Sequence, residues 1–156
     1  MMMKTMALSA ATAFVLSGCA PTATSTDGIA VGLSWRVSGI DGGAEAALFE
    51  ANGRRTATIR CRARRLLVDV PAFTPLIGPT PQFAYLHLGG SPIMLSQSIE
   101  GETAGGEIPA NFGDRVRTAT EFRVTLGQQV IGPHIPPTGP EGEAFASACT
   151  RAAQAS

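Results

Sequence analysis

The sequence predicts an all-β domain: a single antiparallel β-sandwich or small barrel, with room for one short C-terminal helix and one disulfide. Three observations carry that expectation. Apolar residues recur at every second position in several short runs. Turn-forming residues separate those runs, with 18 Gly and 11 Pro in 156 residues. Helical spacing of apolar residues is found only close to the C-terminus.

In chain order, Ile29, Val31, Leu33, Trp35 and Val37 alternate with Ala30, Gly32, Ser34, Arg36 and Ser38, the period of a half-buried strand. Asp41-Gly42-Gly43 turns the chain into a second run, and Asn52-Gly53 marks a hairpin whose two central positions favour positive φ. On the returning run Ala57, Ile59, Cys61 and Ala63 face one way, while Thr56, Thr58, Arg60, Arg62 and Arg64 face the other. Cys61 is thereby placed toward the core. Residues 66–70 read as a further strand ending at Pro71, and the four prolines within 71–81 argue against an interior strand or helix there.

A second hairpin is expected from residues 83–88 through Gly89-Gly90-Ser91-Pro92 into 93–97, and residues 101–106 read as a loop. Phe122, Val124 and Leu126 form another alternating strand, which Gly127-Gln128-Gln129 turns toward Val130 and Ile131. Residues 132–142 read as a proline-broken connection that contains His134. The final segment suits a helix: Pro140 fits a first turn, Glu141 and Glu143 fit its positive end, and Phe145, Cys149 and Ala152 share a face. A final strand fits it nearly as well.

The N-terminus gives an address. Lys4 precedes an apolar stretch, residues 6–16, of signal-peptide length and shorter than the ~20 apolar residues of a membrane-spanning helix. Leu16-Ser17-Gly18-Cys19 then resembles the lipobox of bacterial lipoproteins at all four positions. That resemblance implies cleavage after Gly18, a diacylglycerol thioether on Cys19 and an acylated new amino terminus. Several acyl chains anchor stably where one does not, at ~0.8 kcal/mol per buried methylene. Ala20 rather than Asp after the cysteine favours the periplasmic side of the outer membrane, by the sorting rule of enteric bacteria. The expected organisation is a signal peptide over 1–18, a flexible tether over 19–28 that is too poor in apolar residues to pack, and a β-rich periplasmic domain over 29–156. No second apolar span of membrane length follows.

With Cys19 lipidated, Cys61 and Cys149 remain, and an oxidising compartment permits their pairing. The alternative is two separately buried thiols. Neither lies in a C-x-x-C motif, so a bridge between them reads as structural, contributing ~4–5 kcal/mol in the chain-entropy model.

Chemistry is harder to find. His87 and His134 are the two histidines, and no His or Cys pair stands at ligand spacing, so neither metal nor cofactor is expected. Ser91 or Ser96, His87 and Asp114 would make a hydrolase trio on paper, without the G-x-S-x-G elbow. The pairs Glu100/Glu102 and Glu141/Glu143 lie in Gly-rich stretches and read as solvated, and a chain without lysine after Lys4 cannot build a Walker loop.

Eleven arginines balance twelve acidic residues, and six of the eleven fall between Arg54 and Arg65. Arg60, Arg62 and Arg64 are the candidate anion-binding face, because guanidinium forks grip phosphate and carboxylate bidentately. The plainer reading is a solvated sheet face, its charges paired to Glu45, Glu50 or Asp69 and discouraging edge-to-edge aggregation. A balanced charge argues against nucleic acid.

The expected function is therefore a lipid-anchored envelope protein with a non-catalytic binding or scaffolding domain, its partner an anionic envelope component or an acidic protein. One alternative is an inhibitor of an exogenous enzyme such as lysozyme, inserting the proline loop 71–81 or 133–140 into a cleft. The small lysozyme-inhibitor lipoproteins are similar in lipidation, β content and a disulfide, but their Ser-Gly-x-Arg-Tyr type motif is not found here. Another alternative is a hydrolase using His87.

Overall fold

The computed structural model describes residues 32–98 and 101–155. The lipobox with Cys19, the tether and residues 29–31 lie outside them. The described elements are, in order, β1 (Ser34–Ile40), β2 (Gly43–Phe49), β3 (Arg55–Arg62), β4 (Arg65–Asp69), β5 (Phe83–Leu88), β6 (Ile93–Gln97), β7 (Ala104–Glu107), α1 (Phe112–Thr118), β8 (Phe122–Leu126), β9 (Gln129–His134) and α2 (Gly139–Gln154). The strands form one antiparallel sheet in the order β1-β2-β3-β4-β7-β6-β5-β8-β9. That sheet curls into a half-barrel, and α2 packs against α1, β1, β2 and β3. The domain is thus all-β in its frame, one curled sheet rather than two stacked ones.

The period-two pattern decides what goes inside. Ala57, Ile59 and Cys61 of β3, Leu66 and Val68 of β4, and Ala84, Leu86 and Leu88 of β5 are all fully buried, together with Phe112, Phe122 and Phe145. Each large apolar side chain so buried contributes roughly 1.5–3 kcal/mol against an extended-chain reference. Cys61 is bonded to Cys149 with 5.1 Å between Cα atoms, tying β3 to α2 across the core.

Several elements depart from the sequence reading. The Asn52-Gly53 hairpin forms, but only Gly53 takes positive φ (83°). The turn is wider than two residues: Glu50 N–H donates to the Arg54 carbonyl and Gly53 N–H to that of Glu50, both at 2.9 Å. The tight two-residue turn comes one strand later, where Ala63 and Arg64 hold φ of 45° and 65°. Ala63 is exposed there rather than facing the core, and Arg64 has left the strand. A left-handed residue costs about 1–2 kcal/mol without glycine. Arg64 is held in place because its N–H donates to Ala152 O (3.0 Å) and its carbonyl accepts from Ile108 N–H (2.9 Å).

Residues 104–107, within or beside the expected loop, are strand β7, which joins β4 to β6. Glycines carry no alternation to read. Here they are needed for closeness: a Cβ on Gly105 would lie 2.8 Å from Leu67 Cδ2, and one on Gly106 would lie 3.0 Å from Leu95 Cδ2. Helix α1 was not legible, since Phe112 and Val116 give its 7 residues a single apolar pair four apart. His134 ends β9 rather than lying in a loop; Pro133 is tolerated because β9 is an edge strand. The C-terminal segment is the helix α2, of 16 residues, with Phe145, Cys149 and Ala152 buried on its inner face.

Arg117 of α1 fastens that helix to α2. Its Nε and Nη2 donate to the two Glu143 oxygens at 2.8 Å each, and Ser147 Oγ donates to Glu143 at 2.9 Å. Arg117, then Ser147, hold the Glu143 carboxyl down to about 2. A carboxyl depressed on folding stabilises above its unfolded value and loses that contribution as pH falls through the folded one. The acid arm of the stability curve between pH 4.5 and 2 is therefore expected to flatten in Glu143→Gln, as read from urea midpoints at each pH. An unchanged slope would mean that this exposed pair contributes nothing.

Candidate functional site

The 71–81 segment is where the fold presents something to solvent. Its prolines remove donors and fix φ, so the remaining peptide groups need partners from outside the segment. Two glutamines at strand ends supply them. Gln97, the last residue of β6, accepts from Leu76 N–H at 2.9 Å and donates to Leu76 O at 3.0 Å. Gln129, the first residue of β9, accepts from Thr74 N–H and donates to Thr74 O, both at 2.7 Å. Residues whose N–H and C=O point the same way, two apart, lie on one edge of an extended chain. The side-chain amides thus act as a neighbouring strand for residues 74–76.

Packing completes the clamp. Phe73 and Leu76 are half-buried against the core, and Leu76 lies over Gly127, where a Cβ would come within 2.8 Å of Leu76 Cδ1. The next residue, Ile77, is 101% exposed. A large aliphatic side chain with no cover therefore directly follows the anchored residues, part-way along the segment. Other exposed apolar side chains form a row across the sheet. Met94, Tyr85 and Val130 lie in one cross-strand row through Thr125, and Val130 directly follows the Gln129 clamp.

The candidate anion-binding arginines are brought together with carboxylates. Arg60 is half-buried between Glu45 (2.7 Å) and Glu102 (3.1 Å). Arg62 lies 3.7 Å from Asp41, and Arg64, in the β3–β4 turn, pairs with Glu107 at 3.0 Å. An anionic ligand at this face must displace those acids. Reversing Arg60 would set a third carboxylate beside Glu45 and Glu102, so charge reversal at this face would test folding as well as binding.

His87 stands on the outer side of β5, opposite Arg123 of β8. Partial burial, then the Arg123 charge, push its pKa below the ordinary imidazole value, with Glu121 opposing. Ser96 lies opposite Phe83, and Asp114 on α1 bonds Arg117. No hydrogen bond links His87 to Ser91, Ser96 or Asp114 among the described residues. Among those residues no group of three or more His, Cys, Asp or Glu is placed to hold a metal.

The glutamine clamps escaped the sequence reading. Their signal was available as an accounting question: a segment with four prolines still leaves the Thr74 and Leu76 peptides to satisfy, and the Gln carboxamide, like that of Asn, pairs with both halves of a peptide. No family model, curated protein sequence or solved structure matches this chain.

Proposed function

We propose that this chain is a lipid-anchored protein of the bacterial envelope, held by Cys19 on the periplasmic side of the outer membrane, whose β domain binds a partner protein without catalysis. One observation carries the proposal: Ile77 is wholly exposed immediately after a stretch of the loop whose backbone is pinned on both sides of Pro75. An exposed aliphatic side chain gains by burial, and a pre-organised loop loses little freedom on docking. Extended segments of this kind are recognised by adding a strand or by lying in a cleft. The second reading, an inhibitor of an exogenous enzyme, is favoured by the same geometry, because a rigid extended loop can fill an active-site cleft. Arg60, Arg62 and Arg64 are a weaker choice for partner contact, since each already faces a carboxylate.

The test is site-specific photocrosslinking in the native envelope, with the photoreactive residue at position 77 or at position 62. A partner is expected from position 77, and Ile77→Asp is expected to lower its recovery at least about tenfold, since burying one aliphatic is worth that much or more. Capture from position 62 alone, undiminished in Ile77→Asp, would overturn the reading. If the captured protein is an enzyme whose turnover stops on binding, the inhibitor form of the proposal is the correct one.

A further inference from the structure

Between the clamped loop and the sheet lies a cavity of about 230 Å³, with Pro71, Phe73 and Pro75 along one wall. Asp69 at the end of β4, Gln97 at the end of β6, and Glu102 and Thr103 just before β7 line the other. The volume falls short of the roughly 300–1,000 Å³ of small-molecule sites, so the occupant that fits is a single side chain.

What the cavity offers that side chain depends on which of its polar groups are already spent. The Gln97 amide is used on both halves of the Leu76 peptide. The Thr103 hydroxyl accepts from Val70 N–H at 2.8 Å and donates to Val70 O at 3.3 Å. Ser98, also at the cavity, is engaged as well. Two carboxylates are left. Asp69 has no ion pair and no side-chain hydrogen bond among the described residues, and its oxygens are not among the buried unpartnered atoms there, so they stay open to solvent. Glu102 spends only Oε1, on Arg60 Nη1 at 3.1 Å, and its side chain is 33% exposed.

The free side-chain groups at the cavity therefore accept and do not donate. An anion is repelled there, and a hydroxyl or amide leaves its own acceptor unmatched. The ammonium of lysine and the guanidinium of arginine donate without accepting, and they carry the opposite charge. Local charge points the same way. Glu45 and Glu102 share Arg60 while Asp69 has no cation of its own, three carboxylates to one guanidinium in a chain whose charges balance overall. Phe73 supplies an aromatic ring, which attracts a cation, and the prolines suit an aliphatic stem. Pro75 belongs to this wall, and Ile77 stands two residues on, roughly 7 Å along an extended backbone. One partner surface can reach both.

We propose that this cavity receives a lysine or arginine side chain from the protein that covers Ile77, its charged head at Asp69 and Glu102 and its stem along Phe73 and the prolines. The partner is thereby basic where it meets the loop, an assignment that rests on the loop binding a protein.

The cavity is tested alone by NMR titration of the mature protein in detergent micelles, following the Asp69 and Phe73 signals. The probes are the N-acetyl methylamides of lysine, arginine and norleucine. Saturable shifts are expected with at least one of the two cations and none with norleucine. Affinity should be at least about tenfold weaker in Asp69→Asn, which is isosteric and has no hydrogen bond to lose. In the native envelope, Asp69→Asn is expected to lower recovery of the partner captured from position 77 at least about tenfold. Added salt should lower wild-type recovery more steeply than that of the variant. No saturable shift with either cation, an equal response to norleucine, or undiminished affinity in Asp69→Asn overturns the cation site. Undiminished capture from position 77 in Asp69→Asn also overturns it, while leaving the loop as a protein-binding segment. No capture from position 77 in the wild type overturns both.

Discussion

Replacing Cys61 and Cys149 together by alanine is expected to lower the unfolding free energy by about 4 kcal/mol. The bridge closes a loop of 88 residues, near the long end of the range over which loop-closure entropy grows, and the chain-entropy model gives about 4.6 kcal/mol for that length. Domains of this size hold only about 5–15 kcal/mol in total, so the variant would sit near the threshold of folding. The loss has a structural direction. Cys149 is the covalent tie between α2 and the sheet, and Ala152, one turn on, accepts the Arg64 N–H that steadies the Ala63-Arg64 turn. Loosening α2 therefore also releases the left-handed turn between β3 and β4. Urea unfolding of the mature protein, oxidised and reduced, beside the double variant, measures this. Reduced wild type and variant should fall together, well below the oxidised protein. Coincident curves for all three would mean that the two sulfurs act only as separately buried groups.

What the sequence made legible follows from where side chains alternate. In β3, Ala57, Ile59 and Cys61 announce both the strand and its buried face, and the hairpins around Asn52-Gly53 and Gly89-Gly90 announce their turns by residue type. Elements held by backbone or by distant partners left no such mark. Strand β7 is Ala-Gly-Gly-Glu, chosen because Leu67 and Leu95 occupy the space that side chains would need. The Ala63-Arg64 turn violates local preference and is enforced by hydrogen bonds from Arg64 N–H to Ala152 O and from Ile108 N–H to Arg64 O, more than forty residues away. The arginine row was visible as composition, but its partners were split. Glu45 follows from the β2–β3 register, whereas Glu102 and Glu107 approach only because β7 pairs with β4. The clamped loop was half visible, since prolines flagged residues 71–81 while the glutamines that extend it come from β6 and β9.

The same logic makes the seam where Trp35 of β1 meets Phe122 of β8 the place where one atom-scale change should matter most outside the disulfide. Phe122→Ala is expected to cost about 3–5 kcal/mol, the usual range for a fully buried phenylalanine. Phe122 holds both edges of the curled sheet at once, through the Trp35 ring edge and the His134 stack, and among the described residues no strand pairing links β1 to β9 to take over that task. Trp35 is the single tryptophan of the chain, so its fluorescence reports the surroundings of this seam. Emission in Phe122→Ala should shift to the red under native conditions, because the seam opens locally before the domain unfolds. Phe112→Ala, an equally buried phenylalanine that packs on Phe145 between the two helices, should cost similar stability without moving the native emission. If both variants leave Trp35 emission unchanged, the edges of the half-barrel are held by something other than this aromatic contact, and the Trp35 bond to the Ile135 carbonyl becomes the next side of the seam to cut.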